Sequence, residues 1–208
     1  HRHIYNIVNA ESFYMGEQSA SRERLSLSTE KKIILCIGSL DYARKGNNII
    51  AEALPLLDSQ DVILCCVGSV SEAHKDNPSI VHLGYISDSS KMRDAYNAAD
   101  VFVLPTMADN LPNTIVESLL CGTPVISYDV GGVTEQVSDH NGLLVRDRSP
   151  ESMASALDAF FADQSIYDRH SIAREAHEKY AVGKTVDKHM DLYDLLLPGK
   201  RADVDAAI

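Results

Sequence analysis

The sequence predicts an α/β fold, a Rossmann-like parallel sheet of about six strands with helices on both faces. Three observations predict it. Short continuous apolar runs recur along the chain, as strands buried on both sides require. Stretches with apolar residues at helical spacing separate those runs. The runs end at residues that stop or turn a strand, Gly38, Gly68 and Pro105 among them. Strands that alternate with helices in this way assemble into parallel sheets.

Residues 1–30 are polar, rich in Ser and Glu, and read as an irregular linker or approach segment. Residues 31–182 carry the sheet domain. Lys32–Ile37 is the first strand, and Gly46–Leu57 the first helix, with Ile49, Ile50, Ala53, Leu54 and Leu57 on one face. Val62–Val67 and Ile80–Leu83 follow as strands. Asp88 is placed to cap a helix that runs to Ala99. Val101–Leu104 is a strand stopped by Pro105. Pro112–Cys121 is a helix, with Gly122 where a left-handed residue is wanted. Pro124–Ser127 is the fifth strand. Gly131–Gly132 leads into a short helix at Thr134–Val137, and Gly142–Val145 is the sixth strand. Pro150–Phe161 and Ser165–Tyr180 read as helices, 183–197 as a C-terminal helix, and 198–208 as a disordered tail.

The bulk composition narrows the function. The 208 residues are 45% hydrophobic and 24% charged, enough apolar material for one core. The net charge is −11 and no stretch concentrates Lys and Arg, which excludes a nucleic-acid footprint. A small anionic ligand stays open, because it needs only a few local donors. Cys36, Cys65, Cys66 and Cys121 lie in apolar runs or at a helix end, without zinc-like spacing. They read as buried free thiols in a reducing cytoplasm. No apolar run reaches the roughly 18 residues of a membrane span, and no signal peptide is visible. The chain begins with His1 rather than Met, so a fragment of something longer is expected.

In parallel sheets, ligands bind outside the carboxyl ends of the strands. Three of those ends stand out. After the first strand, the loop 38–46 carries Arg44 and Lys45 to a helix entrance, a setting that favours phosphate. Taken alone, that loop reads more simply as two solvated basic residues on the surface. Neither a P-loop nor the G-x-G-x-x-G fingerprint of nicotinamide dehydrogenases is present. After the fourth strand, Pro112 opens a helix whose first N–H groups are free for an anion. Asp109 and Glu117 flank it, two carboxylates able to accept hydrogen bonds from neighbouring sugar hydroxyls. The plainer reading there is a helix capped by Asp109 or Asn113, with Glu117 on a solvated face. After the fifth strand, Gly131–Gly132 permits either close ligand approach or an ordinary tight turn.

The run from Asp109 through Asn110, Leu111, Pro112, Asn113, Thr114 and Glu117 to Cys121-Gly122-Thr123-Pro124-Val125-Ile126 resembles a known signature. Together with Gly131-Gly132-Val133-Thr134-Glu135 it is similar to that of the group 1 retaining glycosyltransferases. Lys45-Gly46 upstream, Asn141–Val145 downstream and the linker-like Asn6–Asn9 extend the resemblance over nearly the whole chain. It implies one half of a GT-B fold, the half that binds the donor, a nucleoside diphosphate sugar. It implies that Glu117 holds the donor ribose, that Asp109 contacts the donor sugar, and that Lys45 meets the diphosphate. Asp109 stands where the family usually has Glu, one methylene longer. Ser39 stands where the family usually has Arg, with Arg44 as the nearby cation. Asn110, Leu111 and Pro112 match the turn whose backbone approaches sugar and phosphate, continuing into Asn113 and Thr114. Gly84-Tyr85-Ile86 resembles the segment whose backbone reads the base.

The expected activity is sugar transfer with retention to a glycan or lipid-linked acceptor, without a metal or cofactor. The one D-x-D, Asp203-Val204-Asp205, lies in the tail and is read as accidental. The expected partners are the nucleotide sugar and an N-terminal acceptor domain. Peripheral membrane contact is open only through that domain, and the chain by itself is expected to bind nucleotide weakly without turnover. Three other readings stand beside this one: a sugar-nucleotide 2-epimerase half, a glycosyl phosphorylase, which needs a pyridoxal lysine not evident here, and a non-catalytic nucleotide-sugar-binding module.

Overall fold

The computed structural model describes residue 6, residues 8–40 and residues 45–196, the side chains of 182 and 184 excepted. Arg44 and the D-x-D at 203–205 lie outside the described residues. Six strands form one sheet: β1 (Lys32–Ile37), β2 (Val62–Val67), β3 (Ile80–Gly84), β4 (Val101–Leu104), β5 (Val125–Tyr128) and β6 (Gly142–Val145). Their order is β3-β2-β1-β4-β5-β6, and every pair is parallel. The apolar runs have the predicted cause. Ile33, Ile34, Leu35 and Cys36 of β1, and Val101, Phe102 and Val103 of β4, are completely buried. The edge strand β3 is only partly covered.

The helices are α1 (Gln18–Arg24), α2 (Asn47–Ala53), α3 (Ser89–Ala98), α4 (Asn113–Leu120), α5 (Pro150–Ala162), α6 (Arg169–Tyr180) and α7 (Val182–Leu196). α2 packs on α5, while α1 packs on α3 and α4 on α6. The two layers follow from topology. The chain winds outward from β1 to β3 and then outward from β4 to β6, so right-handed crossovers put helices on opposite faces. The order reverses between β1 and β4, which brings the loops after those strands side by side. Among the described residues, no helix is long and apolar enough to cross a membrane.

Four local expectations are corrected. The segment expected to be irregular, residues 1–30, contains α1, and its Val8, Phe13 and Leu27 are part of the core. The buried residues of α1 are Ser21 and Arg22, so no apolar period announces the helix. Arg22 donates to the carbonyls of Ala98 (2.9 Å), Thr29 (3.0 Å) and Lys31 (3.1 Å) and to Asp100 (2.9 Å). The first helix stops at Ala53 and tightens into a 3₁₀ turn at Leu54–Leu56, where Pro55 cannot continue an α-helical ladder. The turn after β5 is a 3₁₀ helix at Gly131–Glu135, starting at the glycines rather than after them. The helix expected from Ser165 begins at Arg169, where the Asp168 carboxylate accepts the His170 amide and caps it. The cap expected at Asp88 is observed, with its carboxylate accepting from the Ser90 and Lys91 amides.

Candidate functional site

The loop after β1 is stitched to its surroundings by backbone bonds. The Gly38 amide donates to the Val67 carbonyl at 2.7 Å, and the Leu40 amide to Ser69 at 3.0 Å. Asn47, fully buried at the start of α2, donates to the carbonyls of Ile37 and Ser39, each at 3.2 Å. Ser39 is thereby fixed through its backbone. Gly46 sits in the left-handed region at φ 68°, and a Cβ there would lie 2.0 Å from the Pro105 carbonyl oxygen. Only glycine lets the α2 entrance press on the end of β4. That contact is what carries Lys45 across to the neighbouring loop.

There the Lys45 ammonium meets Asp109 Oδ2 at 3.0 Å, while Asp109 Oδ1 accepts the Asn110 amide at 2.9 Å. The turn is held from two sides. Asn6 donates to the Leu111 carbonyl at 3.1 Å, and buried Gln136 to the Pro112 carbonyl at 3.3 Å. Gly132 lies so close that an added Cβ would fall 1.7 Å from the Asn110 carbonyl oxygen. Pro112 is the N-cap of α4, and no side chain caps that helix. Capping by Asp109 or Asn113 therefore does not occur. The first turn, Asn113 and Thr114, carries the positive end of the helix dipole at the end of the turn that Asp109 begins.

Glu117 is not on a solvated face. It is half-buried, and the Tyr96 hydroxyl donates to its Oε2 at 2.8 Å. Burial raises the Glu117 carboxyl above the usual carboxylate range, and the Tyr96 bond pulls it the other way. Burial also pushes the Tyr96 phenol well up, helped by the neighbouring Glu117 charge. Tyr96 itself is fully buried between Phe13 and Phe102, edge-on to each, with ring centroids 5.9 and 5.6 Å apart. Sequence reasoning did not find Tyr96. A tyrosine within an apolar helix face reads as core, and only its partner across the fold gives it a polar task.

A cleft of about 620 Å³ opens outside the carboxyl ends of β4, β5 and β6. Asp109, Asn110, Asp129, Gly131 and Arg148 line it. The structure thus brings together Lys45, Asp109, Asn110, Leu111, Pro112 and the glycine turn. It sets Gly84, Tyr85 and Ile86 apart, on the edge beyond β2. There the Gly84 carbonyl accepts the Gly68 amide at 3.0 Å, Tyr85 is 88% exposed and Ile86 is buried. Among the described residues, no group of three or more His, Cys, Asp or Glu side chains is placed to hold a metal ion.

Comparison with known proteins bears on this arrangement. A family model described as "Glycosyl transferases group 1" matches residues 31–163. An uncharacterized glycosyltransferase of Methanocaldococcus jannaschii is 25% identical over 212 aligned residues, covering 93% of this chain and 54% of that protein. Sucrose-phosphate synthase from Thermosynechococcus elongatus superposes with a TM-score of 0.80 at 25% identity, over 94% of this chain and 52% of that one. Anabaena HepE, solved in complex with UDP-glucose, superposes with a TM-score of 0.77 at 19% identity, over 92% and 56%. The chain spans about half the length of each of these three relatives.

Proposed function

The chain belongs to the group 1 glycosyltransferases, and we propose that it is their donor-binding half, holding a nucleoside diphosphate sugar at the β1–β4 crevice. One observation carries the proposal. Lys45 meets Asp109 where the strand order reverses, and Asp109 begins the turn that leads into the uncapped start of α4. A cation, a helix N-terminus and open backbone amides suit a diphosphate. A neighbouring carboxylate suits sugar hydroxyls. The UDP-glucose bound by HepE, which shares the fold, supports this reading.

In the proposed reaction the bond from the anomeric carbon to the diphosphate breaks while an oxocarbenium-like centre forms. Negative charge grows on the departing phosphate oxygens. Lys45 and the amides of Asn113 and Thr114 stabilise that charge where it develops. Ser39, in the loop after β1, lies toward the same phosphates. Asp109, with Asn110, Leu111 and Pro112, orients the sugar. Glu117 accepts from the ribose hydroxyls, and the backbone of Gly84, Tyr85 and Ile86 reads the base. A hydroxyl of the acceptor, a glycan or lipid-linked sugar, attacks from the face that the diphosphate leaves and passes its proton to the departing phosphate oxygen, so the anomeric configuration is retained. No separate nucleophile or metal is part of the proposal. The setting is a reducing cytoplasm, in keeping with four buried thiols that form no disulfide.

Calorimetry with UDP and UDP-glucose tests the donor site. We expect weak binding of both by wild type and loss on Lys45→Met. No binding of any UDP, GDP or ADP sugar, or equal binding by Lys45→Met, overturns the assignment. Transfer is expected only together with the half of the relatives' length that this chain does not span. Sugar transfer by these residues alone contradicts that part.

A further inference from the structure

We infer that Tyr96 is a positioning residue for Glu117: its buried hydroxyl fixes the carboxylate so that its remaining lone pairs receive a ribose diol. The inference rests on the donor-site reading above. Its basis is the way Tyr96 is held. The ring is fully buried and braced edge-on by Phe13 and Phe102, so the hydroxyl has little freedom. The Tyr96 carbonyl accepts the Thr123 hydroxyl at 2.8 Å, and Arg169 donates to that same hydroxyl at 2.8 Å. Thr123 follows the C-cap Cys121 and Gly122 at the end of α4. Tyr96 therefore grips α4 twice, by its backbone just past the helix end and by its hydroxyl at Glu117.

Packing alone does not call for the hydroxyl. Phenylalanine would fill the same slot between two aromatic rings, and a buried phenol without a partner carries a desolvation cost. The partner here is the carboxylate at 2.8 Å. An ionised carboxylate accepts at about four lone-pair sites. Tyr96 occupies one, on Oε2, and leaves the rest of the group for a ligand. The bond also favours the charged form, against the burial that opposes it. Other ionisable groups bear on Glu117 less directly. Cys121, one turn along α4, is itself buried, with Arg93 of α3 and Arg169 of α6 as its nearest cations. The strands under α4 carry only Tyr128, whose charged neighbours are Asp147, Arg148 and Glu52.

The test is an NMR titration of the Glu117 side-chain carboxyl, paired with UDP calorimetry across pH. Three chains are compared: wild type, Tyr96→Phe, and one with 3-fluorotyrosine, a stronger donor, in place of Tyr96. Comparing variants cancels the titration of UDP itself. Tyr96→Phe is expected to move the Glu117 midpoint up, to raise the pH below which UDP binding fails, and to weaken UDP about tenfold near neutrality. The fluorinated chain is expected to move the midpoint down. A Glu117 midpoint unchanged in a folded Tyr96→Phe chain overturns the inference. If that variant does not fold, an unchanged midpoint in the fluorinated chain does so. Glu117→Gln separates the two ideas. Full UDP affinity in that variant sinks the ribose reading, while the carboxyl titration still judges the hold of Tyr96 on Glu117.

Discussion

The Lys45 ammonium and the Asp109 carboxylate lie 3.0 Å apart, joining loops that leave two different strands. Both side chains are partly exposed, at 32% and 21%. A pair of that kind contributes at most about 1 kcal/mol. An arriving diphosphate can therefore draw Lys45 away from Asp109 at small cost, and the carboxylate is released toward the sugar in the same event.

Neutralising Asp109 separates these roles. Asp109→Asn is expected to leave UDP affinity unchanged or raise it by up to about fivefold, the worth of the freed pair. The same change is expected to erase any preference for UDP-glucose over UDP. Calorimetry with both ligands checks it. A fall in affinity for UDP itself would mean that Asp109 holds Lys45 in place rather than competing for it.

Glu117 sets stability against binding. Burial raises its carboxyl pKa in the folded chain above the unfolded value. The folded chain thus holds that proton more tightly. The stabilisation is complete below the unfolded pKa, about 4.3 for Glu, and is lost as pH rises through the folded value. Glu117→Gln cannot ionise, so it should melt higher than wild type near neutral pH and lose that advantage in acid. UDP binding should weaken by about 1–3 kcal/mol, the worth of a charge-assisted hydrogen bond. Thermal melts at several pH values, with calorimetry, test both signs.

Two glycines should respond in opposite senses. In Gly132→Ala the new methyl sits 1.7 Å from the Asn110 carbonyl oxygen, a backbone atom that cannot swing aside. A loss of at least about 3 kcal/mol is expected, with UDP binding lost as the 109–112 turn is displaced. Gly183, in α7, has nothing within 4 Å of an added Cβ. Gly183→Ala should stabilise the chain by up to about 1 kcal/mol. Urea unfolding of both variants decides the matter.

Arg22→Ala takes from Asp100 its buried ion-pair partner. Asp100 also accepts the Ile33 amide at 2.6 Å, and its side chain is only 14% exposed. Breaking a buried pair from one side costs about 3–5 kcal/mol. Arg24→Ala, which removes a partner of Asp94 that is 55% exposed, should cost much less. Parallel urea titrations compare them.

What could be read in the sequence follows from how local its cause is. The strands announced themselves because burial on both faces writes a continuous apolar run, as in Ile33–Cys36. Helix α4 did so because Pro112 and Gly122 mark its ends chemically. Helix α1 did not, because Arg22 is buried by Ala98 and Asp100, far along the chain, and nothing near it in sequence betrays that. Glu117 showed the same limit. Its spacing from Asp109 left a solvated face and a ligand contact equally open, and the distant Tyr96 hydroxyl removed the first. The partnership of Lys45 and Asp109 was likewise invisible until the strand order placed their loops together.

The four cysteines, all buried and none in a disulfide, are shielded from alkylating reagents in the folded chain. Modification then proceeds only through opening, so its rate becomes a clock for breathing motions. Cys36, Cys65 and Cys66 time the separation of β1 and β2, the middle of the sheet. Cys121 times the release of α4 from its neighbours. If the thiol past α4 reacts sooner than the three in the strands, the helix that frames the crevice loosens while the sheet stays intact. Added nucleotide that slows only that thiol would report its own docking without any enzymatic assay.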